Sequence, residues 1–304
     1  MKTLLHDVKR NWKYLMLTLP VVIYFIMFMY VPKFGIVLAF KDFKYNKGIF
    51  GSEWNGLDNF KFLFESGNFG IIMRNTLGYS FAFLISGVIF GVLLAILFDA
   101  LGKTKLNKVN QTLVILPHFL SMMIVSYFTD LFLSTDKGIV NAIITSFGGE
   151  AIDFYSTPKY WPFILYFVHW WKSTGWSAVI YYATIKGFDQ SCYEAAHMDG
   201  ATWWQSVKYI TLPLLKPIII IMFINNIGHV LSTGSDLFYY IPKNSGPLFD
   251  VTTTIDSYVF RNILSGNNYG MTSAVSLFKS VVGTILILTT NGLVRKFSPG
   301  DELF

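Results

Sequence analysis

The chain has 304 residues, of which 53% are hydrophobic, 18% aromatic and only 14% charged. An ordinary soluble domain is about 25% charged, so neither a disordered chain nor a water-soluble globule fits. The net charge of +6 then reads as membrane orientation before nucleic-acid binding.

A bilayer-crossing helix needs about 20 mostly apolar residues. In chain order, such runs occupy 14–32, 76–98, 109–129, 161–185, 217–235 and 271–294, with Lys172 inside the fourth and Lys279 inside the sixth. They predict an all-α integral membrane protein with about six transmembrane helices. No small-x-small cleavage site follows 14–32, so that run reads as a retained helix and not a signal peptide. With the N-terminus inside, the inner segments 1–13, 99–108, 186–216 and 295–304 carry Lys and Arg at about twice the density of the outer ones. The expected product is a multi-pass protein of the cell membrane with both termini cytoplasmic. No internal repeat or linker is visible, so one membrane domain is expected to fill 1–304.

The longest inner segment, 186–216, has an organisation of its own. Glu194, Ala195, Ala196 and His197 favour helix, and Asp199-Gly200 supplies a turn. A second amphipathic stretch, 202–209, precedes Pro213 and Pro217, which bracket the return to the bilayer. The pattern reads as two short helices joined by a glycine turn on the cytoplasmic face. Pattern alone fits an amphipathic connector lying among headgroups equally well. Small Ala195 and Ala196 would let a partner approach closely, and Glu194 and Asp199 would offer it acceptors.

The string Glu194-Ala195-Ala196, then Gly200, then Ile210-x-Leu212-Pro213 resembles the EAA signature of binding-protein-dependent ABC importer permeases, with the spacing EAA-x3-G-x9-I-x-L-P met without a gap. The longer form Asp199-Gly200-Ala201 with Thr211-Leu212-Pro213-Leu214 is similar to the carbohydrate branch, in particular its oligosaccharide and polysaccharide group. Weaker similarities, at Gly56-Leu57-Asp58-Asn59-Phe60, Asn75-Thr76-Leu77, Leu116-Pro117 and Gly138-x-x-Asn141, extend the resemblance over about 55–295. It implies that Glu194, Ala195, Ala196, Asp199 and Gly200 form a coupling helix seated on a cytoplasmic ATPase. It further implies a second permease subunit, an ABC ATPase dimer, an extracytoplasmic sugar-binding protein and the lipid bilayer as partners, with no nucleic acid. No cofactor is expected on this chain; ATP and magnesium belong to the ATPase. Gly102-Lys103-Thr104 lacks the upstream glycine of a P-loop, Leu97 standing there, and follows a membrane span instead of a strand.

No catalytic or metal-binding constellation is expected: the single Cys192 excludes a cysteine-built site, and five scattered histidines show no HExxH-type spacing. Polar groups inside the bilayer default to functional hypotheses. Asn225, His229, Ser232 and Asp236 fall at i, i+4, i+7 and i+11, one face of a helix if the fifth run stays helical. Asn225, His229 and Ser232, together with Lys172, are the candidate substrate pathway; helix–helix hydrogen bonding is the competing account of the stripe. Lys172 is expected to pair with Asp130 or Asp236, with a sugar contact or snorkelling as alternatives. Pro117 is expected to kink the third helix at His118. An ion-gradient-driven secondary transporter using Lys172, Asp130 and His229 is the alternative function, and it leaves the EAA spacing unexplained.

Overall fold

The computed structural model describes residues 10–65, 67–266, 268–300 and 302–303, so Lys2 and Lys9 of the N-terminal basic segment lie outside the described residues. The chain is mostly helical over its described residues. Its elements in order are α1 (Trp12–Phe40), the strand pair β1 (Lys41–Asp42) and β2 (Glu53–Trp54), α2 (Asp58–Glu65), α3 (Phe69–Ala100), α4 (Lys105–Phe119), α5 (Met122–Leu133) and α6 (Ile139–Ser146). There follow α7 (Trp161–Lys186), α8 (Gln190–Met198), α9 (Trp203–Gly228), α10 (Ser235–Tyr240), α11 (Ile255–Leu264) and α12 (Tyr269–Phe297). Contacts divide the chain into two compact units, one of residues 1–66 and 262–278, the other of 67–261 and 279–304.

In the first unit, α1 runs from α-helix through a π-turn into a 3-10 segment and buries none of its most apolar stretch against its own chain. The antiparallel β1–β2 pair closes the connection after it. Asn59 organises this connection: its amide donates to the carbonyls of Ala39 and Lys41 at 3.0 Å each. The Tyr45 hydroxyl donates to that of Tyr269 at 2.7 Å.

The second unit holds the helical core. α1, α3, α9 and α12 are each long and apolar enough to cross a membrane. α7 has the length, 26 residues, but four tryptophans, His169 and Lys172 leave it less apolar. It packs most closely on α3 and α4. A Cβ at Gly175 would stand 2.0 Å from the carbonyl oxygen of Val114, so only glycine lets α7 and α4 approach this closely.

Two spans depart from expectation. The run 109–129 is not one straight helix: α4 and α5 meet at a 100° bend. Pro117 has no N–H to continue the ladder, Leu120 is extended, and Ser121 caps α5 by accepting from the Ile124 amide at 3.3 Å. The fifth span begins earlier than 217. Residues 202–209 are not a separate helix, because Trp203 onward continues through a π-turn at Val207–Thr211, just ahead of Pro213. That helix also stops at Gly228; 229–231 form a turn and 232–234 are irregular.

Asparagines of the weaker similarity hold the loops. Asn75 donates to the carbonyls of Asp250 (2.9 Å) and Thr253 (3.0 Å). Asn141 donates to the Ile152 carbonyl and accepts from its amide, both at 2.9 Å. A buried amide that saturates several backbone groups fixes a loop without secondary structure.

Candidate functional site

Two places in the second unit concentrate chemistry. The first is α8 and its turn. Asp189 caps α8 by accepting from the Ser191 amide at 2.9 Å, and hydrogen bonds from Ser191 hold its carboxyl below the ordinary aspartate range. Gly200 takes a φ of +80°, while its amide donates to the His197 carbonyl at 3.0 Å and that of Ala201 to Ala196 at 2.9 Å. This is a glycine-type helix stop. Thr202 then opens α9 in a capping box with Gln205. Glu194, Ala195, Met198, Asp199 and Gly200 are all exposed, and no residue of α8 is buried. The helix is tied back at two points: the Tyr193 hydroxyl meets the Thr211 hydroxyl at 3.0 Å, and Lys186, just before α8, pairs with Asp99 of α3 at 2.5 Å. α8 is therefore a presented face on a fixed mount.

The second place is a cavity of about 250 Å³ among α3, α7 and the end of α9. Its polar lining is Ser80 from α3, His169, Ser173 and Ser177 from α7, and Asn226, His229, Ser232 and Thr233 from α9 and the turns beyond it. The Thr233 hydroxyl is buried without a hydrogen-bond partner among the described residues. Ser80 donates to the Val230 carbonyl at 2.5 Å, holding the turn against α3. Apolar clusters bound the cavity along the helices. One contains Tyr79, Phe83, Leu165 and Phe238; the other contains Val92, Ile96, Tyr181 and Leu215. Phe83 stacks on His169 with ring centroids 3.6 Å apart, at the boundary with the first cluster.

The expected pathway residues separate. His229 and Ser232 line the cavity, Asn225 does not, and its neighbour Asn226 does. The helical spacing that joined them was carried past Gly228, where the helix ends. Lys172 is not among the lining residues, and it forms no ion pair with Asp130 or Asp236. Its ammonium donates to the carbonyls of Pro117 (3.3 Å), His118 (2.8 Å) and Leu120 (2.6 Å), groups left open where α4 breaks. Asp130 pairs with Lys243 at 2.5 Å instead. Missed from the sequence were Ser173, Ser177 and Tyr181, although with His169 they recur every fourth residue on α7 and form a polar stripe. Lys279 pairs with Asp256, whose other oxygen accepts from the Gly234 amide at 2.9 Å.

Residues 87–300 match the family of binding-protein-dependent transport system inner membrane components. The polygalacturonan/rhamnogalacturonan transport system permease protein YteP of Bacillus subtilis (strain 168) is 36% identical, over 99% of this chain and 92% of its own. Protein LplB of the same organism is 36% identical, over 94% of this chain and 89% of its own. A bacterial ABC transporter involved in the import of the acidic polysaccharide alginate contains a chain of the same fold, with a TM-score of 0.87 and 31% identity, covering 97% of this chain and 99% of that one. These matches displace the ion-gradient alternative and leave no enzymatic role for the chain. It belongs to the binding-protein-dependent inner-membrane family and is a permease component of an ABC importer.

Proposed function

We propose that the chain is one of two permease subunits of a plasma-membrane importer that takes up an oligosaccharide by alternating access. A cytoplasmic ATPase dimer would grip α8, and an extracytoplasmic sugar-binding protein would deliver substrate on the opposite side. ATP and magnesium would act on the ATPase, and both termini would be cytoplasmic. The observation that carries the reading is the presented α8 face, where Glu194, Ala195, Asp199 and Gly200 are exposed and backed by the Tyr193–Thr211 and Lys186–Asp99 ties. The relatives named for polygalacturonan/rhamnogalacturonan and alginate transport support the substrate class, as does a cavity lined by hydroxyl, amide and imidazole groups.

Motion at α8 has two routes upward. Tyr193 meets Thr211 in α9, and α7 leads into α8 through the segment that holds Lys186. α7 in turn is locked to α4 at Gly175 and Lys172. A push on α8 would thus tilt α7, α4 and α9 and open one apolar boundary of the cavity. At about 250 Å³ the cavity lies below the roughly 300–1,000 Å³ of ordinary ligand sites. An oligosaccharide therefore needs that opening and the facing wall of the second subunit.

The test is gentle-detergent purification of the tagged chain with mass spectrometry of what co-elutes. Recovery of an ABC ATPase and a second permease, with sugar uptake dependent on ATP in proteoliposomes, is the expected outcome. A chain that elutes alone and transports in response to an ion gradient would overturn the proposal.

A further inference from the structure

A groove of about 650 Å³ lies on the second unit, between the N-terminal ends of α3 and α7. Two cations line it, Arg74 of α3 and Lys159 just ahead of α7, along with the rings of Tyr79, Phe163 and Tyr166. Arg74 is held by its own neighbours: Nη2 donates to the Asp250 carbonyl at 2.9 Å and to Asn75 Oδ1 at 3.2 Å, and Nε to the same oxygen at 3.3 Å. None of these acceptors is a carboxylate, and neither Arg74 nor Lys159 has an ion-pair partner among the described residues. Lys159 has only the Tyr160 ring, 5.8 Å away. Two uncompensated cations beside aromatic faces make a site for an anion carried on a ring with apolar faces. The groove's volume is that of an ordinary ligand site.

Its position relative to the polar cavity decides the occupant. Tyr79 lines the groove and packs on Phe83, ring centroids 5.9 Å apart, and Phe83 lines the cavity. One layer of rings therefore separates the groove from the cavity. Under the proposed orientation the groove opens to the outer side, where substrate arrives.

We propose that Arg74 and Lys159 form an outer waiting site for the carboxylate of a uronate-containing oligosaccharide, with Tyr79, Phe163 and Tyr166 against its sugar faces. The Tyr79–Phe83 ring layer is then the barrier the sugar crosses next. This rests on the sugar-importer reading and adds to it that the cargo is acidic. Charge steering by the two cations acts before the chemistry of the cavity, so it enters KM.

The experiment uses the complete importer in proteoliposomes with its binding protein. Two probes are compared: trigalacturonate and the same trisaccharide with its carboxylates reduced to alcohols. For the unsubstituted importer, uptake of trigalacturonate well above that of the reduced sugar is expected. Arg74→Gln with Lys159→Gln should raise KM for trigalacturonate about tenfold or more, with the maximal rate nearly kept and the reduced sugar unaffected. Arg74→Lys should recover most of the loss, and Lys159→Gln alone, in an exposed position, serves if the double variant fails to assemble. An equal effect on both probes would make these residues structural and overturn the proposal. So would a defect that follows the vesicle content of phosphatidylglycerol and not substrate charge, which would assign the groove to a lipid headgroup. Uptake of the neutral sugar in preference to the acid, or of neither, overturns the site and spares the importer, which stands or falls on the co-elution of its ATPase and second permease.

Discussion

The ammonium of Lys172 lies 2.6 Å from the carbonyl oxygen of Leu120. A helix break of 100° leaves backbone carbonyls without their helical donors. A side chain from the neighbouring helix supplies the missing donor, so a residue that reads as an ion-pair or substrate lysine is a cap for a helix other than its own. Hydrogen bonds from a charged donor contribute about 1.5–3 kcal/mol. Lys172→Met is therefore expected to destabilise the purified complex by about 2 kcal/mol, which lowers its thermal unfolding midpoint, and to reduce transport. Lys172→Arg keeps the donors and should restore most of both. A midpoint unchanged in the Met variant would remove Lys172 from this role.

Asp256 and Lys279 are a second, mostly buried pair, with side chains 16% and 18% exposed. Removing one partner of such a pair strands the other charge, at a cost of about 3 kcal/mol. Lys279→Met should destabilise the complex more than Lys279→Met combined with Asp256→Asn, because Asn still accepts from the Gly234 amide. Denaturation curves of the two variants decide the matter, and the reverse order refutes the pairing.

Gly200 stands at φ +80° with open space around its Cα. The constraint is therefore backbone conformation and not room. Gly200→Ala is expected to strain the turn by about 1–2 kcal/mol and weaken ATPase retention, while Gly200→Asn, which tolerates the left-handed region, should do less damage. Pull-down of the ATPase by each variant measures this. Equal retention in all three would separate the turn from coupling.

The Asp189 cap carries a pH signature. Its folded value lies below the ordinary one, so its contribution is complete above the ordinary carboxylate range and is lost as pH falls through the lower folded value. Amide exchange in the first turn of α8 should stay slow from pH 7 to about 5 and open only at more acid pH. Opening near pH 6 would contradict the assignment.

Asn225 and Asn226 are adjacent, and only the second lines the cavity. Asn226→Ala with His229→Ala should lower the maximal uptake rate several-fold without loosening the ATPase. Asn225→Ala should leave uptake close to normal. Equal losses from both changes would move the polar lining back to helix packing.

What was legible in the sequence is what local chemistry controls. The Gly200 turn follows from Asp-Gly beside a helix-forming run, and the long apolar stretches mark the spans to within a few residues at most ends. What was not legible depends on distant backbone. Nothing near Lys172 in sequence reveals that Pro117, His118 and Leu120, more than 50 residues away, would offer carbonyls to it. The stripe at Asn225, His229 and Ser232 presumes an unbroken helix, and Gly228 ends it. The serines of α7 follow a four-residue period as well, but Trp170, Trp171 and Trp176 around them mask it in the sequence.

The lysine cap on α4 also bears on how this chain enters the membrane. α7 carries a central lysine, which by itself opposes insertion by about 2.5–3.5 kcal/mol, and four tryptophans that add little apolar drive. The carbonyls that solvate this lysine belong to a segment synthesised before it. α7 is thus a helix that enters in company. α4 acts as its solvent, and a chain in which Pro117 no longer breaks α4 should release α7 into the bilayer poorly even though α7 itself is unaltered.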